Sequence, residues 1–365
     1  MDLPIALRKG VRTCTHHPIQ NHLSYAKLSP RFRAFVTKID QVSIPNSVQE
    51  ALQIPEWKTA TLEEMRALEK NKTWKITTLP PGKRVVGCKW VFSVKHKADG
   101  SVERLKARLV AKGFTQSYGI DYQETFAPVA KLNTIRVLIS IAVNLDWPLL
   151  QLDVKNAFLN GDLEEEVYMK IPPGFESRFP ANKVCKLIKT LYGLRQSGRK
   201  WFEKFTNVLG KDGYVQCQAD NTLFVKHTAN RGLTAIIVYV DDIVITGNNM
   251  EEISCLKKLL ATKFEIKDLG PLKYFLGMEV ARSREGLSIS QRKYVLDLLK
   301  ETGMTGCKPI DTPMDPNTKL QATGISVDKG RYQRLVGKLL YLAHTRPDIG
   351  FLLGPIQSLY LYIYI

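Results

Sequence analysis

The chain has 365 residues, of which 44% are hydrophobic and 24% charged, and this composition excludes a fibrous repeat or a mostly disordered chain. Lysine and arginine outnumber aspartate and glutamate by 53 to 35, which gives a net charge of +18. Such a surplus indicates a polyanionic partner, and nucleic acid and an anionic membrane surface are the two candidates. The length exceeds what one core usually serves, so we expect at least two subdomains.

The cysteines and the chain ends indicate an intracellular protein without a membrane span. Six cysteines are scattered without a paired metal-binding or disulfide pattern, which is typical of reduced thiols. The first residues lack the apolar stretch of a signal peptide. The apolar residues 351–365 are too few for a membrane span. We therefore expect nucleic acid as the partner, no membrane and no secretion, with a cytoplasmic particle and the nucleus as alternative locations.

The first predicted elements are a poorly ordered lead-in over residues 1–50 and a helix over residues 55–69. Pro55 suits the first turn of a helix. The spacing of Leu62, Met65 and Leu68 places three apolar side chains on one helix face. This face predicts packing against a core.

A basic hairpin is predicted next, with its turn at residues 98–100. Between residues 83 and 112 there are nine basic side chains and two acidic ones. The period of two in a strand separates an apolar face from a basic face. The apolar side chains are Trp90, Phe92 and Val94, and the basic ones are Lys89, Lys95, Lys97, Arg104, Lys106 and Arg108. A solvated sheet face and a polyanion-binding surface are both compatible with this pattern.

The remaining predicted elements mix helices and strands. Apolar spacing predicts helices over residues 131–145, 199–209, 251–264, 291–302 and 331–343. Apolar runs predict strands over residues 149–154, 235–240 and 243–246. Because no regular strand–helix–strand alternation occurs, we expect an α+β fold with antiparallel strands.

Two adjacent carboxylates, Asp241 and Asp242, interrupt the apolar strands, as in a hairpin with the acids at its turn. A plain turn is one interpretation, but Asp-Asp is a poor two-residue turn signal. Adjacent like charges beside a dry sheet repel each other, and a divalent cation would relieve this repulsion. Asp153 closes another apolar strand. If the two strands are neighbours, three carboxylates meet at one sheet edge, where Mg²⁺ ions and a basic hairpin could serve nucleotidyl transfer.

Tyr239-Val240-Asp241-Asp242 resembles the Y-x-D-D box of reverse transcriptases. From about residue 55 to residue 348, the sequence resembles the polymerase of Ty1/copia-type long-terminal-repeat retrotransposons. The matching blocks are residues 88–92, 106–113, 121–129, 151–159, 191–196 and 275–279. Many blocks in this order are far more specific than the Y-x-D-D box alone.

The resemblance implies an RNA-directed DNA polymerase with two Mg²⁺ ions, for which Mn²⁺ is the alternative. Its substrates would be a deoxynucleoside triphosphate and an RNA or DNA template with a primer. The catalytic and metal-binding groups would be the carboxylates of Asp153, Asp241 and Asp242, with the Val154 carbonyl as a further ligand.

The resemblance also implies residues that bind the nucleotide and the primer. Phe158 corresponds to a ring that excludes a ribose 2′-hydroxyl, although a core aromatic is the alternative. The triphosphate would be bound by Lys95, Lys106 and Arg108, and the base and template would lie near Gly193, Arg195 and Gln196. The primer end would be positioned by Phe275, Leu276, Gly277, Met278 and Glu279, for which an ordinary packed strand is the alternative.

The implied architecture is a right hand, with an antiparallel palm sheet that carries the catalytic carboxylates. The fingers would be residues 51–128 and 161–192, the palm residues 129–160 and 193–282, and the thumb residues 283–346. We expect residues 347–365 to be a divergent tail of a truncated polyprotein without ribonuclease H. A catalytically silent remnant that binds nucleic acid and an unrelated basic binding module remain the alternative functions.

Overall fold

The computed structural model describes residues 43–96, 101–308, 312 and 328–350. Most of the predicted lead-in, the hairpin turn at residues 98–100 with Lys97, and most of the predicted divergent tail lie outside the described residues. The chain separates into two compact units. One unit comprises Met1–Phe126 and Phe158–Trp201, and the other comprises Ala127–Ala157 and Phe202–Ile365.

Helices and strands follow one another without regular alternation. In chain order they are α1 (Val48–Gln53), α2 (Pro55–Lys70), β1 (Trp74–Thr78), β2 (Val85–Val86), β3 (Cys88–His96), β4 (Val102–Ala111), α3 (Leu132–Asn144), β5 (Leu149–Val154), β6 (Tyr168–Met169), β7 (Lys183–Leu187), α4 (Ser197–Lys211), β8 (Val215–Gln216), β9 (Leu223–Thr228), β10 (Gly232–Tyr239), β11 (Asp242–Gly247), α5 (Met250–Lys263), β12 (Ile266–Pro271), β13 (Tyr274–Phe275), β14 (Met278–Arg282), β15 (Leu287–Ser290), α6 (Arg292–Thr302) and α7 (Lys329–Leu342). Short 3₁₀ turns occur at Gly113–Thr115, Ala157–Asn160 and Glu176–Arg178.

The first unit has a small sheet, a long hairpin and helix α2. Its sheet has the order β1-β7-β6-β2, in which only the β2–β6 pair is parallel, and β3 and β4 form a separate two-stranded hairpin. Helix α2 begins at Pro55 and buries Met65 and Leu68, with Leu62 partly buried, so the predicted core-facing side is confirmed. Trp57 of this helix packs edge-on against Phe92 of β3, with ring centroids 5.5 Å apart.

The β3–β4 hairpin has the basic face that the sequence predicts. Lys95 pairs with Arg104, and Ser93 pairs with Lys106. Because directly paired residues of antiparallel strands share one face of the sheet, these cations lie on the same side. The opposite side carries apolar residues such as Leu109, which is fully buried in the core of the unit.

The second unit is built on a six-stranded antiparallel sheet with the order β12-β5-β11-β10-β9-β8. Helix α3 buries Ile135 and Leu138 in the same core as β10 residues Ala235 and Ile237. Because both faces of β10 are buried along residues 235–238, its sequence there is continuously apolar instead of alternating between apolar and polar residues. Strand β5 lies between β11 and β12, and this order determines the site described below.

A three-stranded antiparallel sheet, β13-β14-β15, precedes helices α6 and α7. The fold is therefore α+β with antiparallel sheets, as the sequence predicts, apart from the short parallel β2–β6 pair. In the described ranges, none of the helices combines the length and the apolar character that crossing a membrane requires.

Candidate active site

The β10–β11 hairpin presents the two adjacent carboxylates. Tyr239 pairs with Asp242 across the hairpin, so Val240 and Asp241 form the turn and Asp242 is the first residue of β11. The predicted turn of Asp241 and Asp242 is therefore displaced by one residue. Val240 has a φ of 57°, a left-handed conformation that is exceptional for a β-branched residue. Backbone strain of this kind clusters at functional sites, where surrounding structure maintains it.

Strand β5 brings the third carboxylate to the same end of the sheet. Asp153 is the direct partner of Asp242 on the neighbouring strand. The backbone N–H of Val154 donates to the Asp241 carbonyl over 2.8 Å, which ties the turn to β5. Directly opposed residues of antiparallel strands have Cβ atoms about 4.5–5.5 Å apart. The strand order therefore brings Asp153 close to the adjacent pair Asp241 and Asp242, although Asp153 and Asp241 are 88 positions apart in the chain.

The electrostatics of this cluster favour a cation. Burial raises the pKa of Asp242 to about 6, the negative charges of Asp241 and Asp153 add to the increase, and a hydrogen bond from Gln151 opposes it. The Gln151 amide donates to Asp242 Oδ1 over 3.1 Å. An added positive charge would stabilise the ionised form of Asp242.

The oxygen donors at this end of the sheet suit a divalent ion that is only partly enclosed by protein. Within the described ranges, no set of three or more His, Cys, Asp or Glu side chains is arranged closely enough to enclose a metal. Mg²⁺ commonly takes one or two carboxylates and completes its octahedron with water and substrate phosphates. The oxygen donors at this sheet end therefore fit an open magnesium site rather than a closed protein cage.

Gln151 is a site residue that the sequence analysis missed. It is 6% exposed and lies two residues before Asp153, so both belong to the same face of β5. A polar residue inside the apolar run 149–152 was the available signal. Its partner could not be recognised, because Gln151 and Asp242 are 91 positions apart.

The first unit contains the residues predicted to bind the nucleotide. Lys95, Lys106 and Arg108 belong to the basic face of the β3–β4 hairpin. Burial and the neighbouring charges of Arg108, Arg104 and Lys95 lower the pKa of Lys106. Like charges therefore crowd this face, and an anion bound there would relieve their repulsion.

Arg108 and Phe158 are connected through one aromatic ring. The Arg108 guanidinium carbon lies 4.5 Å from the centre of the Tyr192 ring. The Phe158 and Tyr192 rings meet edge to face, with centroids 4.8 Å apart. The Thr190 hydroxyl also donates to the Phe158 carbonyl. Phe158 is half-buried, so the predicted sugar-excluding role and a packing role both remain compatible with its surroundings.

The segment with Gly193, Arg195 and Gln196 packs against the edge of β4 and forms hydrogen bonds with the loop that follows β4. Gly193 has a φ of +89°, and a Cβ there would lie 2.6 Å from Val110 Cγ1 and overlap the Ala111 carbonyl. Arg195 is exposed. Gln196 is fully buried, accepts from the Gln116 amide over 3.2 Å and donates to the Asp121 carbonyl over 3.1 Å. The predicted proximity of these residues to the base and template stays a prediction.

The segment predicted to position the primer forms the β13–β14 hairpin of the second unit. Leu276 and Gly277 make its two-residue turn, with φ values of 50° and 71°. Phe275 and Met278 flank the turn and are buried. The backbone N–H of Lys293 donates to Glu279 Oε1 over 3.3 Å. The hairpin is packed as an ordinary strand pair would be, and its contact with a primer stays a prediction.

Comparison with known proteins identifies the family. Residues 71–316 match the reverse transcriptase (RNA-dependent DNA polymerase) family, which is more than half of the chain. The chain belongs to the reverse transcriptase family. This membership confirms the resemblance found in the sequence and excludes the unrelated basic binding module.

This reverse transcriptase domain is similar to polyproteins of plant retrotransposons. It is 44% identical over 328 residues to the retrovirus-related Pol polyprotein from transposon RE1 of Arabidopsis thaliana, a match that covers 89% of this chain and 22% of the relative. The corresponding polyprotein from transposon TNT 1-94 of Nicotiana tabacum is 41% identical, over 86% of this chain and 25% of the relative. The chain thus spans about a quarter or less of the length of these relatives.

Among solved structures, the domain is similar to a foamy viral protease–reverse transcriptase that was determined with double-stranded DNA. The TM-score is 0.38 and the sequence identity 12%, over 78% of this chain and 40% of that chain.

All residues predicted to bind metal, nucleotide or primer lie inside the family match at residues 71–316. Helix α2, which packs against β4, lies before it.

Proposed function

We propose that this reverse transcriptase domain extends a primer 3′-hydroxyl on an RNA or DNA template by two-metal nucleotidyl transfer from deoxynucleoside triphosphates. The observation that carries this proposal is the pairing of Asp242 with Asp153 on adjacent strands, with Asp241 at the turn beside them. Three carboxylates at one sheet end provide the oxygen donors that the reaction requires.

The metal-binding groups would be the carboxylates of Asp153, Asp241 and Asp242 and the backbone carbonyl of Val154. Bound Mg²⁺, or Mn²⁺ in its place, supplies positive charge that favours ionisation of the primer hydroxyl and stabilises the leaving pyrophosphate. The role of Gln151 would be to orient Asp242, since its amide donates to one oxygen and leaves the other oxygen available.

The triphosphate would bind the basic face of the β3–β4 hairpin. Lys95, Lys106 and Arg108 are the predicted contacts, and Arg104 belongs to the same face. Bidentate recognition of phosphate oxygens is a property of the planar guanidinium, which favours Arg108 as the most specific contact. Burial and the positive charges of Arg108, Arg104 and Lys95 lower the pKa of Lys106, and an anionic ligand on this face would offset the repulsion among these charges.

Sugar selection would be a property of Phe158. The contact with Tyr192 restrains the ring, and a restrained ring can reject a ribose 2′-hydroxyl by steric exclusion. In the right-hand architecture that we propose, the fingers would be residues 51–128 and 161–192, most of which belong to the first unit. The palm would be residues 129–160 and 193–282, most of which belong to the second unit, and the thumb would be residues 283–346. The surplus of positive charge would then bind the template and primer backbones.

Primer extension on an RNA template tests this proposal. Substitution of Asp242 by Asn keeps the shape of the side chain and removes its charge, and we expect extension to fall on the order of 100-fold or more, as for loss of other preorganised electrostatic groups. Asp146→Asn is the matched control, because Asp146 is fully exposed and pairs with Arg282.

Two results would contradict the proposal in different ways. Undiminished extension by the Asp242→Asn and Asp153→Asn variants would reject the metal-binding assignment. A folded parent protein that binds template–primer without extending it would instead indicate the silent remnant.

A further inference from the structure

A buried glutamate outside the family match contacts the predicted nucleotide-binding face. Glu64 belongs to helix α2, seven residues before the match begins at residue 71. Its side chain is 7% exposed and that of its ion-pair partner Arg108 is 17% exposed. A carboxylate of this kind is costly to bury, unless the pairing of its charge offsets the loss of hydration.

The contacts of Glu64 hold Arg108 from one side. Glu64 Oε2 accepts from Arg108 Nη1 over 3.3 Å, and Glu64 Oε1 accepts from the backbone N–H of Leu109 over 3.4 Å. The Tyr192 ring lies against the guanidinium, 4.5 Å from its central carbon. A long flexible side chain is thereby restricted by a charge and by an aromatic ring at once.

The same carboxylate completes the outer edge of β4. The N–H groups of Leu109 and Ala111 are two residues apart, so both point away from β3. Glu64 accepts from the first, and the Tyr192 carbonyl accepts from the second over 2.7 Å. Glu64 and Tyr192 therefore fix both the backbone and the side chain around Arg108.

Packing alone does not explain a charge at this position. An apolar residue would fill the space beneath β4 without the cost of dehydrating a carboxylate, and such replacements of buried ion pairs are often neutral or stabilising. Burial raises the pKa of Glu64, whereas the charge of Arg108, the hydrogen bond from the Leu109 N–H and the charge of Lys106 oppose the increase. The net increase means that the loss of hydration outweighs the stabilisation that these three groups provide.

We propose that Glu64 is a positioning residue for nucleotide binding, which orients the Arg108 guanidinium on the Tyr192 ring before the triphosphate arrives. The inference rests on the proposed role of Arg108 as a triphosphate contact. Helix α2 is then part of the nucleotide-binding apparatus, although the family match begins after it. Preorganisation of a binding group lowers the conformational cost of ligand binding.

Steady-state primer extension with titrated dNTP tests the role of Glu64. Glu64→Gln keeps the acceptor oxygen and removes the charge, and we expect the KM for dNTP to rise about tenfold, which corresponds to 1.4 kcal/mol. The kcat and the affinity for template–primer stay within about twofold, because neither depends on free-state orientation of Arg108. Glu63→Gln is the matched control, since Glu63 is exposed on the same helix.

A double-mutant cycle separates positioning from a structural role. If Glu64 acts through Arg108, the effect of Glu64→Gln on KM disappears when Arg108 is already replaced by Ala. If Glu64→Gln raised the KM for dNTP by the same factor with and without Arg108→Ala, the inference would be overturned. If Glu64→Gln does not fold, Glu64→Asp is used instead, because it keeps the charge and shortens the side chain by one methylene. An unchanged KM for dNTP in Glu64→Asp would also overturn the inference.

Failure of the inference and failure of the proposed function give different results. An increased KM in Arg108→Ala with a normal KM in Glu64→Gln rejects the positioning role and leaves the nucleotide site intact. A normal KM in Arg108→Ala rejects the triphosphate contact itself, and the inference about Glu64 fails with it.

Discussion

The close approach of Gly193 to strand β4 predicts a large effect of a single methyl group. The Tyr192 carbonyl accepts from the Ala111 N–H over 2.7 Å, and this hydrogen bond requires the backbone at Gly193 to lie against β4. In Gly193→Ala, the new Cβ would be 2.6 Å from Val110 Cγ1 and would overlap the Ala111 carbonyl. Because a backbone carbonyl cannot rotate away as a flexible side chain can, the two segments must separate.

Three costs contribute to the expected destabilisation. A left-handed conformation costs an alanine about 1–2 kcal/mol, overpacking adds about 1–3 kcal/mol, and loss of the edge hydrogen bond adds about 1 kcal/mol. Alanine also lowers the conformational entropy of the unfolded chain, which offsets about 0.4–1 kcal/mol of this destabilisation. We therefore expect a net loss of about 2–5.5 kcal/mol in the local stability of the β4 edge.

Amide hydrogen exchange measures this local stability directly, whereas a single unfolding free energy is poorly defined for a chain with two units. Gly82→Ala is the control, because Gly82 has a similar φ of +77° but nothing within 4 Å of its added Cβ. The control isolates the conformational cost from the cost of contact. Equal protection of the Ala111 amide in both variants would refute the argument from close approach.

Three further predictions concern other parts of the chain. Phe158→Ala should lower discrimination between deoxynucleotides and ribonucleotides about tenfold in competition extension assays, whereas Phe158→Tyr should preserve it; equal discrimination in both would exclude sugar selection by this ring. Because the pKa of Glu64 is raised in the folded state, its ionisation opposes folding. The stabilising contribution of protonated Glu64 is complete below the unfolded pKa of about 4.3 and is lost as the pH rises through the folded value. Thermal denaturation should therefore show Glu64→Gln gaining stability relative to the parent as the pH rises above about 4.3; a constant difference would contradict a raised pKa. In the native protein at pH 8, a thiol reagent followed by mass spectrometry should modify the exposed Cys255 before Cys185, because burial raises the pKa of Cys185 to about 12; equal rates would show that Cys185 is accessible.

Local patterns in the sequence predicted much of the fold, because helices and strands impose periods that side chains reveal. The face of α2 with Met65 and Leu68 and the basic face of the β3–β4 hairpin follow from those periods and are confirmed. The reverse transcriptase family was recognised from blocks of sequence, and the family match confirms it. The predicted domain bounds and site roles stay predictions.

Long-range partners could not be predicted from the same patterns. A glutamate on an amphipathic helix is expected to face solvent, but Glu64 pairs with Arg108, 44 positions later. The turn of the β10–β11 hairpin was also misplaced by one residue, because the left-handed φ of Val240 contradicts the conformational preference of valine.

Carboxylates that end apolar strands and cations that follow a strand period can be predicted from the sequence alone, since both are properties of short segments. The position of β5 between β11 and β12 is visible only in the folded chain, where it pairs Asp153 with Asp242 and brings Gln151 to the same carboxylate. Strand order has to be observed because it depends on core packing and edge pairing over the whole sheet. An alternating pattern specifies which face of a strand is buried, but it does not specify the neighbouring strand.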